Sequence, residues 1–94
     1  MELDLNNKSI LITGGTGSLG KALTRRIFKK IPNVKRLVIF SRDEQKQFVM
    51  AQGFPNDKYD AIRFFIGDVR DKERFIRAFK GIDYVIHAAA MKLI

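Results

Sequence analysis

The chain has 94 residues, of which 46% are hydrophobic and 30% charged; 18 Lys+Arg against 10 Asp+Glu give a net charge of +8, and there is no cysteine. That size supports one small core and no second domain, and the balance of apolar and charged residues is that of a globular chain. A disulfide framework, a thiolate metal site and cysteine catalysis are excluded, and the single histidine, His87, excludes a histidine-rich metal cage.

Charges interrupt every apolar run before the ~18 residues that a membrane span requires. The start, Met1-Glu2-Leu3-Asp4, lacks the basic and apolar regions of a secretory signal. The expectation is a cytoplasmic protein with no membrane span and no metal.

Ser9-Ile10-Leu11-Ile12-Thr13 is a short apolar run ending in Gly14-Gly15, and reads as a strand buried on both faces. Helical apolar spacing follows from Gly17 to about Lys30, with Leu19, Leu23 and Ile27 inward and Pro32-Asn33 closing the segment. Its outward side carries Arg25, Arg26, Lys29 and Lys30, which read as a solvated face or, alternatively, a polyanion patch. A nucleic-acid role lacks support, because the aromatic residues fall on core positions rather than between the basic ones.

Leu37-Val38-Ile39-Phe40 is a second buried strand. Ser41-Arg42-Asp43-Glu44 matches a Ser-x-x-Glu capping box, so a second helix is expected through about Gln52. Ile62-Arg63-Phe64-Phe65-Ile66 makes a third strand, ended by Gly67-Asp68. Asp71 can cap a third helix with Phe75, Ile76 and Phe79 inward, stopped by Gly81, and Ile82 to Ala88 reads as a fourth strand.

The order βαβαβαβ with long connections predicts an α/β fold of the Rossmann-like, doubly wound parallel type, with strand order 3-2-1-4. The fourth strand would present an unpaired apolar edge. Residues 1–94 are therefore expected to be the N-terminal portion of a longer dinucleotide-binding domain, with the catalytic and substrate-binding portion outside them.

The segment Thr13-Gly14-Gly15-Thr16-Gly17-Ser18-Leu19-Gly20 sits between a predicted strand and a predicted helix, where a spaced-glycine loop binds a dinucleotide. Gly14 permits the turn, Gly17 lets backbone approach a pyrophosphate, and Gly20 lets the helix pack closely. The N–H groups around Ser18 and Leu19 face the phosphates, and the Thr16 and Ser18 hydroxyls can add hydrogen bonds. A Walker loop is excluded, because Lys21 is followed by Ala22 and the spacing is wrong.

Roughly 20 residues past this loop, at the tip of strand two, an NAD enzyme places a carboxylate for the ribose 2′-hydroxyl. Here stand Ser41 and Arg42, which suit a 2′-phosphate, with Lys46 one turn into the helix as a second cation. NADP is favoured; Asp43 and Glu44 keep an NAD reading open. Asp68 can accept from the adenine amino group and the Val69 backbone can read the ring; the alternative is a loop aspartate that makes a turn. Ala88-Ala89-Ala90 lets backbone approach the ribose and nicotinamide, Lys92 sits beside the same crevice, and His87 reads as a packed strand-end residue.

Thr13–Gly20 resembles the TGxxGxxG loop of extended short-chain dehydrogenases/reductases. More narrowly, Leu11–Gly20, Ser41–Gln47, Phe65–Arg74 and His87–Lys92 resemble the inverting UDP-N-acetylglucosamine 4,6-dehydratases of bacterial surface-polysaccharide and flagellin-glycan biosynthesis. The resemblance implies that Thr16 to Leu19, Ser41, Arg42, Asp43, Glu44, Lys46, Asp68, Val69 and Ala88 line NADP, and that Lys92 touches cofactor and substrate. It implies a lyase acting on a UDP-sugar, in which hydride passes from sugar C4 to NADP and returns at C6 with loss of water and inversion at C5. A homo-oligomer is expected from the family. The family's Tyr-x-x-x-Lys pair is missing: Tyr59 precedes Arg63 and Tyr84 precedes Ala88 by that interval, and Leu93-Ile94 stands where the family continues His-Val-Pro. No catalytic residue is assigned within residues 1–94, and these residues alone are expected to be inactive. The alternatives are another extended-family epimerase or reductase, or a non-catalytic NADP-binding module.

Overall fold

The structure, a computed structural model, describes residues 4–88. Four strands, β1 (Ser9–Thr13), β2 (Arg36–Ser41), β3 (Ile62–Ile66) and β4 (Tyr84–His87), alternate with three helices, α1 (Ser18–Lys30), α2 (Glu44–Gly53) and α3 (Lys72–Phe79). All strand pairs are parallel and the order is β3-β2-β1-β4, as the alternating pattern predicts.

Parallel pairing in this order leaves no strand face for solvent near the centre, which is why β1 is buried at all five positions. One sheet face, built from Ile10, Ile12, Leu37, Ile39 and Ile62, packs on Ile27 of α1 and on Met50 and Phe54 at α2. The other face, Leu11, Val38 and Phe40, packs on Ala78 and Phe75 of α3. Each fully buried aliphatic side chain here contributes about 1.5–3 kcal/mol relative to exposure. The start of β4 is pinned to β1 by a reciprocal pair: the Asp83 carboxylate accepts from Ser9 N–H, and Asp83 N–H donates to the Ser9 carbonyl, both at 2.8 Å.

Three local expectations change. Asp43, not Ser41, caps α2: its carboxylate accepts from the Lys46 N–H at 3.0 Å. Ser41 is the last residue of β2, so its backbone belongs to the sheet rather than to the helix entry. In α3 the buried stripe falls on Ala78 with Phe75 beside it, and Ile76 is 59% exposed. The Asp71 cap holds as expected, accepting from Arg74 N–H at 3.3 Å. In α1 the buried positions are Gly20, Thr24 and Ile27, with Leu23 partly buried and Leu19 exposed. Thr24 can lie inward because its hydroxyl donates to the Gly20 carbonyl at 2.8 Å.

Candidate functional site

The carboxyl ends of the four strands share one sheet edge, because the register sets Thr13 beside Phe40 and His87, and Ser41 beside Ile66. Successive strands run outward from β1 to β3, after which the chain returns to β4 on the other side of β1. That reversal is where doubly wound sheets open a ligand crevice. An open crevice of about 1060 Å³ lies along this edge, lined by the ends of β1, β2 and β4 and by the segments that follow β1, β2 and β3. A recess of about 510 Å³ between the glycine loop and α2 shares Thr16, Asp43, Gln45 and Lys46 with it.

At the end of β1 the chain turns through Gly14, whose φ of 65° lies in the region that favours glycine, and Gly14 N–H donates to the Phe40 carbonyl. Gly20 lies against the loop itself: a Cβ there would sit 2.2 Å from the Gly15 carbonyl oxygen. Gly15, which the sequence reading left without a task, is the glycine pressed onto the sheet; its Cβ would be 2.9 Å from an Ile39 methyl. Gly17 is different. A Cβ there would meet only the Gly14 carbonyl, at 3.8 Å, so nothing among the described residues requires a glycine at that position.

Gly17 is also the N-cap of α1, and it offers no side-chain hydrogen bond; the first turn carries no acidic residue. By contrast α2 and α3 are capped by Asp43 and Asp71. The first N–H groups of a helix have no intrahelical acceptors, and the dipole concentrates positive potential there. Among the described residues no side chain caps α1, and its N-terminus faces the recess that Gly17 and Ser18 line together with Asp43 and Lys46. This observation fits a phosphate group.

Across the crevice, Ser41 is 8% exposed and its hydroxyl accepts from Gln47 Nε2 at 2.9 Å. Arg42 extends into solvent, with Nη1 3.7 Å from Asp68 Oδ2. Asp68 is gripped by Arg70, which holds its carboxyl well below the usual carboxylate range and raises the Arg70 guanidinium in return. Asp43, Glu44, Lys46, Val69 and Arg70 complete this side. Sequence reasoning missed Arg70 and Gln47. For Arg70 the signal was available, since a cation two residues from a loop aspartate can close back on it.

Not every expected residue lines the crevice. Leu19 is exposed and lines neither the crevice nor the recess, and Ala88 is 6% exposed within the hydrophobic core. Lys92, Ala89 and Ala90 lie outside the described residues. His87 is not packed away: it is exposed, lines the crevice and places Nδ1 2.9 Å from the Thr13 hydroxyl. Its place in the register beside Thr13, at the open end of the edge strand, explains the difference. The outward residues of α1 are exposed, although Arg25 also lies over the Phe54 ring at 5.6 Å. Among the described residues no helix is long and apolar enough to cross a membrane, and no three metal-ligating side chains converge.

The model of a family described as polysaccharide biosynthesis protein matches residues 10–94. The chain belongs to that family. Among its relatives is the inverting UDP-N-acetylglucosamine 4,6-dehydratase of Campylobacter jejuni subsp. jejuni serotype O:2, 54% identical over 88 residues, covering 93% of this chain and 25% of that protein. A UDP-glucose 4-epimerase of Rickettsia bellii is 50% identical over 88 residues, covering 92% of this chain and 25% of its own length. The crystal structure of Pen from Bacillus thuringiensis superposes with a TM-score of 0.83 at 39% identity, over 98% of this chain and 28% of that one. The chain thus spans about a quarter of the length of the curated relatives it matches. Within this polysaccharide biosynthesis family, the expected resemblance to the inverting 4,6-dehydratases is borne out over most of the chain.

Proposed function

We propose that these residues are the N-terminal, dinucleotide-binding portion of a UDP-N-acetylglucosamine 4,6-dehydratase of the inverting type, and that its cofactor is NADP rather than NAD. The observation that carries this reading is the pairing of an uncapped α1 N-terminus behind Gly17 with Ser41 and Arg42 at the tip of β2, where a carboxylate would select NAD. The Campylobacter relative supports the reaction.

In this reading the amides of Ser18 and Leu19 hold the pyrophosphate, and Ser41, Arg42 and Lys46 hold the 2′-phosphate. Asp68 and Val69 border the adenine, with Arg70 sharing the Asp68 carboxylate. Ala88 borders the ribose through its backbone, and Lys92 meets cofactor and substrate. When bound, the dinucleotide accepts a hydride from the sugar and returns it; the residues here bind and orient it, which is the fold's share of such chemistry. The acid–base residues belong to sequence beyond residue 94, so the isolated chain binds without turning over. In the same reading the whole protein works in the cytoplasm as a homo-oligomer and supplies a dehydrated UDP-sugar for surface polysaccharide or flagellin glycan.

A second reading, a nucleotide-sugar 4-epimerase, is favoured by the Rickettsia relative. Mass spectrometry of UDP-N-acetylglucosamine incubated with the full-length protein separates the two. Loss of one water supports the dehydratase, whereas a product of unchanged mass that co-elutes with the C4 epimer supports the epimerase. Calorimetric titration with NADP and NAD tests the cofactor. Arg42→Ala is expected to weaken NADP by ~10–100-fold, the worth of a hydrogen bond to a charged group, and to leave NAD nearly unchanged.

A further inference from the structure

Gln47 is a polar side chain on the inward side of α2, 4% exposed, where an apolar residue would be the simpler choice. Its amide nitrogen lies 3.0 Å from the Phe65 carbonyl oxygen, 3.3 Å from the Ser41 carbonyl oxygen and 2.9 Å from Ser41 Oγ. Backbone carbonyls only accept, so the group facing them must be the amide NH2 and the orientation of the side chain is fixed.

That orientation has a consequence for Ser41. The amide has two protons for these three acceptors, and the two shortest contacts, to Ser41 Oγ and the Phe65 carbonyl, take them. A serine hydroxyl can donate or accept, but with a Gln47 proton directed at Oγ its own proton must point elsewhere. Among the described residues nothing accepts it, and Ser41 borders the crevice. The hydroxyl therefore presents a donor to a ligand. A donor suits a phosphate, which offers only acceptors when ionised; the carboxylate that NAD enzymes carry at this point is the opposite, a pure acceptor for a ribose hydroxyl.

We infer that Gln47 is a specificity-determining positioning residue, fixing the Ser41 hydroxyl as a donor to the 2′-phosphate of NADP without touching the cofactor itself. The inference rests on the NADP reading above and adds to it the source of the preference.

The test is a double-mutant cycle in the full-length protein, with NADP and NAD affinities measured by calorimetry for wild type, Gln47→Leu, Ser41→Ala and the double variant. Gln47→Leu is expected to weaken NADP by ~10-fold, the scale of one hydrogen bond to a charged group, and NAD by less than about twofold. In the Ser41→Ala background the same change should leave the NADP:NAD ratio where Ser41→Ala put it. Equal losses for both cofactors, or a full NADP loss when Ser41 is already alanine, would show a structural role only and overturn the inference. Circular dichroism reports whether Gln47→Leu folds. If it does not, Gln47→Met carries the same comparison, and a Ser41→Ala protein with an unchanged NADP:NAD ratio overturns the inference by itself. Wild-type protein with no preference for NADP overturns the cofactor reading and this inference together; a wild-type preference that survives in the Gln47 variants overturns this inference alone.

Discussion

Arg70 closes back on Asp68 from two residues away: its Nε lies 3.1 Å from both carboxylate oxygens, its Nη2 is 2.7 Å from Oδ2, and its backbone N–H donates to Oδ1 at 2.9 Å. Arg42, just past the end of β2, approaches the same carboxylate at 3.7 Å. Two guanidinium groups thus share one anion at the mouth of the crevice. The three groups together carry one net positive charge, on a side of the crevice that Asp43, Glu44 and Lys46 also line.

The Asp68 carboxyl is depressed below its ordinary value of 3.8, first by the side-chain hydrogen bonds from Arg70. A depressed folded-state value means that the pair's contribution is fully present above 3.8, the unfolded value, and is lost only as pH falls through the lower folded value. Asp68 therefore stays ionised throughout the neutral range, and cofactor binding should show no titration from it near pH 7. Arg70→Gln is expected to bring the Asp68 midpoint up towards 3.8, followed by carboxyl 13C shifts in an acid NMR titration. An unchanged midpoint in that variant would mean that the closed pair does not form in solution. Because the pair is exposed, the accompanying change in neutral-pH stability should be small.

The glycines of the loop separate into packing and ligand roles, and alanine substitution should separate them in the laboratory. Gly20→Ala drives a methyl onto the Gly15 backbone at 2.2–2.4 Å, with no flexible side chain to yield. A loss of about 1–3 kcal/mol or more in denaturant unfolding is expected, as for other overpacked sites. Gly17→Ala meets no internal obstacle and should cost no more than about 1 kcal/mol as an N-cap change. Yet it should be the more harmful of the two for dinucleotide affinity at equal folded fraction, because the added methyl stands where a phosphate would approach. Normal affinity in Gly17→Ala would sink the pyrophosphate assignment.

The sheet order was legible because continuous apolar runs such as Leu37–Phe40 mark strands covered on both faces, and the intervening lengths allow only parallel crossovers. The crevice position followed from the glycine loop for the same reason. What failed was local and depended on the direction of single side chains. Ser41 and Asp43 are both good N-caps, and the sequence pattern could not say that the β2 ladder would claim Ser41 first. Phe75, Ile76 and Phe79 all look inward by hydrophobicity, but Phe40 on β2 selects Phe75 as its partner at 5.2 Å and the helix turn carries Ile76 away. Gln47 was illegible because its role comes from two carbonyls, one on each of two strands.

The α3 assignment makes a direct stability prediction. Phe75 contacts Phe40 and, at 4.3 Å between ring centroids, Phe79, while Ile76 is largely in solvent. Phe75→Ala should cost about 2 kcal/mol or more, somewhat below the ~3–5 kcal/mol of a fully buried phenylalanine. Ile76→Ala should stay within about 0.5 kcal/mol, as at ordinary surface positions. Urea unfolding of the two variants side by side checks this; comparable losses would mean that the helix is rotated from the orientation described, or that Ile76 is covered in solution.

Asp43 offers the sharpest separation between the two cofactor readings. It stands two residues past Ser41 and is the nearest carboxylate by sequence that could serve a ribose 2′-hydroxyl, but its Oδ1 is committed to the Lys46 N–H. A carboxylate that caps a helix and one that selects NAD should respond differently to neutralisation. Asp43→Asn keeps a capping oxygen, so stability should change by no more than about 0.5 kcal/mol, whereas Asp43→Ala should lose ~0.5–2 kcal/mol. In both variants the NADP:NAD affinity ratio should hold within about twofold once folded fraction is corrected, since a helix cap makes no distinction between the two cofactors. Measured by calorimetry, a tenfold fall in NAD affinity in Asp43→Asn, with NADP unaffected, would show Asp43 turning from its helix to the ribose and would move the preference of this site towards NAD.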